Sequence, residues 1–282
     1  MKRVMYVFLL AMIIAPEVQA QTWPNEPSGS STLVDCNFNN TTCGGMLADA
    51  YNSGRVISDG TAPASPTSVL LQQTSSGTSL SGGAQLDYYP NGQRELFVGF
   101  WVKLNSGFVG SSNHDNKVIF PGAYWVILEF WGPPGSNFKP VTHFQFNSNG
   151  PNNCHLSGII AGDCPWGGSG GVTFGNACSI GRETWYRIEY YIKQSSYTNS
   201  RDGIVRWWVN GTQCYNATNV NTLTSPFDQV SLNHTWDGGL SKSSGTWEYR
   251  FDHLKISAPN GGGGAPKGDT TPPVAPTSLR AN

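Results

Sequence analysis

A succession of short segments with alternating apolar and polar residues, broken by turn signals, leaves this chain little room for any fold but an all-β one. The strongest are Glu95–Leu104 and residues 124–131, 142–147, 185–193, 203–210, 229–232 and 249–257. They are rich in Val, Ile, Phe, Tyr and Trp, and most repeat with period two, the spacing of a strand with one face in a core. Between them stand Pro90-Asn91-Gly92, Pro133-Pro134-Gly135, Asn210-Gly211 and Asp237-Gly238-Gly239. Helix signals hardly appear. Many short strands without interleaved helices predict two antiparallel sheets packed face to face, not a parallel α/β sheet. Asn210-Gly211 predicts a tight hairpin, because both residues tolerate the positive φ of a type I′ turn.

The N-terminus reads as an export leader. Lys2 and Arg3 precede an apolar run over residues 4–14, and Val18-Gln19-Ala20 offers a small-residue cleavage site. The run falls short of the ~20 apolar residues that span a bilayer. The expected organisation is a signal peptide over 1–20, one β-sandwich domain over 21–258 and a Gly/Pro/Thr-rich linker tail over 259–282. A domain of that size buries a full core without a metal or partner. The formal net charge of −1 argues against nucleic acid, which needs a basic face. No later stretch is long enough to span a membrane.

All six cysteines follow residue 20, and an even number in an exported chain reads as disulfides. Cys36 and Cys43 flank an Asn/Thr turn and are expected to pair. Of Cys154, Cys164 and Cys178, two are expected to close the Gly-rich stretch over 149–178, leaving the third for Cys214. That stretch is predicted to be an ordered loop.

One pair of segments carries a resemblance. Trp185-Tyr186-Arg187-Ile188-Glu189 followed by Asp202-Gly203 and Trp208-Val209-Asn210-Gly211 resembles paired strands of the concanavalin A-like jelly-rolls. Phe251-Asp252-His253-Leu254-Lys255-Ile256-Ser257 resembles the closing strand of that fold. Glu95–Leu104, with Trp101 and Lys103, resembles an early strand of its polysaccharide lyase-like members. The resemblance covers most of residues 86–257 and implies a two-sheet antiparallel jelly-roll. One fold hosts many sites, so function has to be argued from residues.

Glycoside hydrolysis needs two carboxylates about 5–5.5 Å apart for retention, or further apart for inversion. The glucanases of this fold take that pair from an E-x-D-x-E strand, and no such motif occurs here. Glu248 and Asp252, four residues apart, are separated by ~13 Å on an extended strand. β-Elimination by a polysaccharide lyase needs a group that quiets a uronate carboxylate, together with a base and an acid. Period two places His143, Gln145 and Asn147 on one strand face and Phe144 and Phe146 on the other. Some alginate lyases of this fold carry Gln-x-His on such a strand; here the order is His-x-Gln.

Neighbouring strands offer further groups. Arg187, Glu189, Tyr191 and Lys193 share a face opposite Tyr186, Ile188, Tyr190 and Ile192. Arg206 and Trp208 lie opposite Trp207, and Trp125, Glu129 and Trp131 share a side. His143, Gln145, Tyr191 and Arg187 are therefore the candidate catalytic groups. Asn147, Arg206, Trp208, Trp125, Glu129 and Lys193 are the candidate binding groups, with Arg187 or Arg206 forking onto a carboxylate. His114, Asp115, Asn116 and Lys117 read as a polar loop. No metal-ligand spacing appears and no cofactor is expected. A structural Ca²⁺ is an alternative at the loop holding His234, Trp236 and Asp237. The expectation is a secreted monomer, extracellular or periplasmic, that contacts a polysaccharide. It acts either as a lyase or as a lectin-like module; a sandwich with no ligand is the third reading.

Overall fold

The computed structural model describes residues 22–39, 43, 47–48, 54–65, 67–74, 85–90, 92–110, 116–124, 126–144, 154–156, 178–197, 200–222, 226–233 and 247–259. The early strands are short: β1 (Ser31–Cys36), β2 (Leu47–Ala48), β3 (Gly54–Ile57), β4 (Val69–Thr74) and β5 (Gln85–Tyr88). Then come β6 (Glu95–Leu104), β7 (Lys117–Tyr124), β8 (Val126–Trp131), β9 (Lys139–Phe144) and β10 (Cys154–Leu156). The last five are β11 (Tyr186–Lys193), β12 (Gly203–Val209), β13 (Thr212–Val220), β14 (Val230–Asn233) and β15 (Trp247–Ala258).

They form two antiparallel sheets. The back sheet has eight strands in the order β13-β12-β11-β6-β15-β4-β3, with β1 also paired to β15. The front sheet has seven, in the order β10-β9-β8-β7-β14-β5-β2. The expected all-β sandwich is the observed one, and β6 runs over the expected residues. The expected strand over 124–131 is instead the end of β7 and all of β8. The expected signal peptide over 1–20, the tail from 260 onwards and the Gly-rich stretch over 157–177 lie outside the described residues. Among the described residues no helix is long and apolar enough to cross a membrane.

Alternation decides what meets in the core. Leu96, Val98, Phe100, Val102 and Leu104 of β6 point inward, as do Ile188, Tyr190 and Ile192 of β11 and Val205, Trp207 and Val209 of β12. From the front sheet come Leu86, Val118, Ile119, Leu128, Phe130, Phe144 and Leu232. Tyr190 and Thr142 place their hydroxyl oxygens 3.1 Å apart between the sheets, which satisfies two buried polar groups at once. Trp207 stacks on Tyr215 at 4.2 Å between ring centroids and lies 6.4 Å from Tyr190.

The β12–β13 hairpin turns at Asn210 and Gly211, with φ of 50° and 83°, as the Asn-Gly pair predicts. The disulfides Cys36–Cys43 and Cys178–Cys214 are both formed. The second ties the residues just before β11 to β13, closing a loop of 36 residues in sequence separation. Cys178→Ser with Cys214→Ser is expected to lower unfolding free energy by roughly 2–5 kcal/mol, read from denaturant midpoints.

On the outer face of the back sheet, β6 carries Gly99 where a side chain has no room. A Cβ there would lie 2.5 Å from Cε3 of Trp23, which lies against Phe97. Gly99→Ala is expected to displace the Trp23 ring and cost about 1–3 kcal/mol. A shift in tryptophan fluorescence together with a lowered Tm checks this.

Candidate functional site

The two outer faces of the sandwich differ in what they bury. On the front sheet the core row is Leu86, Leu232, Ile119, Leu128 and Thr142, paired strand to strand. Their neighbours in sequence must point the other way. Asp87 pairs with Ser231, Lys117 with Glu129, Glu129 with Val141, and Ile127 with His143. The outward face thus carries Asp87, Ser231, Lys117, Glu129 and His143. All five are nearly closed to solvent: Glu129 is fully buried, and His143 and Lys117 are 6% and 9% exposed. Ionisable groups are seldom buried without a role or a partner.

The geometry of this face is specific. Nδ1 of His143 lies 2.6 Å from Oε1 of Glu129 on the adjacent strand. Ser231 donates its hydroxyl to Oδ1 of Asp87 at 2.5 Å and accepts from Nε2 of Gln229 at 2.9 Å. Lys117 stands directly across from Glu129 on β7. A bulge puts it there. The register shifts between Lys117 and Ile119, so Val118 and Ile119 both enter the core while Lys117 faces out.

The back sheet's outer face is covered by the chain itself. The amide of Asn25 donates to Oε2 of Glu189 at 2.9 Å. Asp59 bridges Lys103 at 2.5 Å and Arg250 at 2.9 Å, and the Trp185 indole donates to the Thr61 hydroxyl at 3.0 Å. The amides of Ala64 and Ser65 donate to Oδ2 of Asp252 at 2.6 and 3.1 Å. Asp252 and Glu248, the nearest echo of a glucanase pair, are therefore structural. Glu248 bridges Arg250 at 2.9 Å, and burial pushes the Asp252 carboxyl up. Burial also works to raise Asp59, but hydrogen bonds from Lys103, Thr61 and Arg250 outweigh it and hold that carboxyl well below the usual range.

A depressed folded-state pKa stabilises the fold above the unfolded value, and this contribution is lost as pH falls through the folded one. Tm is therefore expected to drop on acidification below about pH 4. Asp59→Asn is expected to flatten that acid limb in a Tm-against-pH series.

The structure divides the candidate residues. His143 and Glu129 lie on the front face and touch. Arg187, Tyr191, Lys193, Arg206 and Trp208 lie on the back face, separated from His143 by the whole sandwich, whose sheets stack ~10 Å apart. Arg187 is engaged by Glu189 at 3.0 Å, Lys193 by Glu95 at 3.4 Å, and Tyr191 donates to Oε2 of Glu95 at 3.0 Å. Burial, and then the Glu95 charge, push the Tyr191 hydroxyl far up, so it is no phenolate base at neutral pH. Trp125, Gln145 and Asn147 lie outside the described residues, as does the loop holding His234, Trp236 and Asp237. Lys117, Asp87 and Ser231 are the residues that strand parity overlooked. Lys117 read as loop, and the bulge hid its face.

The fold is a two-sheet jelly-roll similar to those of solved alginate and glucuronan lyases. An endo-β-1,4-glucuronan lyase from the fungus Trichoderma reesei superposes with a TM-score of 0.53 at 15% identity, over 81% of this chain and 96% of that one. The alginate lyase vAL-1 from Chlorella virus gives 0.52 at 14% identity, over 81% of this chain and 100% of that one. No protein-family model and no curated protein matches the sequence.

Proposed function

We propose that this chain is an exported polysaccharide lyase that cleaves a uronate-containing polymer by β-elimination on the outer face of the front sheet. The observation that carries the proposal is the buried Glu129–His143 pair at 2.6 Å with Lys117 beside it, on a sheet face that plays no part in the core. Likeness of fold to lyases acting on glucuronan and alginate supports the choice of reaction. The two disulfides and the leader-like N-terminus support an extracellular or periplasmic setting.

The chemistry follows from the geometry. With Nδ1–H donated to Glu129, the imidazole is fixed in the tautomer whose Nε2 accepts a proton. Lys117 supplies a positive charge for the uronate carboxylate, which makes the adjacent C–H more acidic. Nε2 takes that proton, the electron pair forms the carbon–carbon double bond, and the glycosidic oxygen departs. The imidazolium returns a proton to the leaving oxygen when both lie on one face of the sugar. Gln145, two residues beyond His143, is the candidate for a second contact to the carboxylate.

The test is to incubate the mature protein with glucuronan, alginate and pectate and follow absorbance of the unsaturated uronate end. Product from at least one is expected. No product from any, with retention on an immobilised glycan, overturns the lyase and leaves a lectin-like module.

A further inference from the structure

The back sheet carries a feature that the cleavage site does not use. Its middle is covered by residues 22–26 and 58–65, but its edge at β12 and β13 is not closed in this way: Asn210, Thr212, Gln213, Asn216 and Thr218 are exposed. These two strands hold a single charged residue, Arg206. Across the sheet Arg206 pairs with Asn216 and Tyr191, and Trp208 with Gln213, so all of them share the outward face.

The Arg206 guanidinium is held in place from two directions. Its Nε donates to Oδ1 of Asn216 at 2.8 Å, and its Cζ stands 5.8 Å from the centroid of the Tyr191 ring. Glu95 anchors that ring through its hydroxyl. Among the described residues no acid pairs with Arg206, and its two terminal nitrogens make no hydrogen bond. Two neighbouring cations on this face each have a carboxylate: Arg187 has Glu189 and Lys193 has Glu95.

We propose that Arg206, with Asn216 and Gln213, forms a second, non-catalytic binding site for a uronate residue on the opposite face from the cleavage site. The planar guanidinium fork matches a carboxylate in two parallel hydrogen bonds. Holding the fork in advance reduces the side-chain entropy lost on binding. The neutral amides of Asn216 and Gln213 suit sugar hydroxyls, and no acid on either strand repels a polyanion. The ligand class rests on the uronate reading above, but the site does not depend on cleavage. A long polymer bound at this edge is kept near the cleavage face, which raises its effective concentration there.

The experiment uses the full mature chain and immobilised glucuronan and alginate, with neutral glucan and a sulfated glycan as controls. Arg206→Ala is expected to weaken retention on the uronate polymers by about tenfold, the scale of a charge-assisted pair, while short soluble oligouronates are still cleaved. Arg206→Lys, which keeps the charge but loses the fork, is expected to recover only part of the retention. His143→Ala is expected to stop cleavage and keep retention. Unchanged retention in Arg206→Ala overturns the second site and leaves the lyase standing. Loss of retention in Arg206→Ala from a protein that yields no product from any polymer overturns the lyase and keeps the site. Equal retention on the sulfated glycan overturns the assignment to a carboxylate. Matching Tm values for wild type and variants show that retention reports the site and not the fold.

Discussion

His143→Ala is expected to reduce kcat/KM on the cleaved uronate polymer by roughly 10²–10⁴-fold, the usual contribution of a positioned acid–base group. On the proposed mechanism the loss falls on kcat with KM little changed, because the imidazole would act on the reacting proton and not on binding the ground state. Glu129→Gln tests the mechanism more sharply. The amide keeps the shape and a hydrogen-bond partner for Nδ1 but removes the charge that stabilises an imidazolium. It is expected to lower kcat by less than His143→Ala does and to change the pH–rate profile. The double variant should be little worse than His143→Ala alone, since Glu129 is proposed to work through the ring. A wild-type rate in His143→Ala, with product confirmed, would remove the front-face site from consideration. Lys117→Ala should instead raise KM as well as lower kcat, since on the proposed mechanism its charge would meet the carboxylate both before and during proton removal.

The largest expected effect on stability belongs to Trp207. Its side chain is fully buried between the rings of Tyr190 and Tyr215. Trp207→Ala removes the contacts of two aromatic stacks and leaves a cavity in the centre of β12, where strands on both sides prevent collapse. A loss of about 3–5 kcal/mol is expected, read as a lowered denaturant midpoint at unchanged m-value. Trp208→Ala, one residue along but on the outer face, should cost less, because its neighbours can relax toward solvent. A larger loss at Trp208 than at Trp207 would mean that the inward and outward faces of β12 have been reversed.

Much of this architecture is legible in the residues. Period two sorted β11 into a core face of Ile188, Tyr190 and Ile192 and an outer face of Arg187, Glu189 and Tyr191. The structure keeps that division. Asn210-Gly211 marked its turn because few residue pairs accept two positive φ values. β13 escaped notice because Thr212–Val220 is mostly polar, and its place at a sheet edge lets polar side chains stay in water. The site was half visible. His143 stood out on its strand and Glu129 on the next, but nothing in their spacing showed that they touch.

The sequence by itself determined the fold class, the inward faces of the strands at Ile188–Ile192 and Phe144 and the Cys36–Cys43 pairing, because alternation, turn chemistry and a seven-residue separation are local quantities. Tertiary structure alone decided which sheet each strand joins. Parity says which residues share a side, but the sides of two strands become one surface only through hydrogen-bonded neighbours far apart in the chain. That is why His143 and Tyr191, both outward by alternation, came to lie on opposite faces of the sandwich. It is also why Lys117 reached Glu129: one extra residue in a strand reverses its parity, and only the partner strand reveals the bulge.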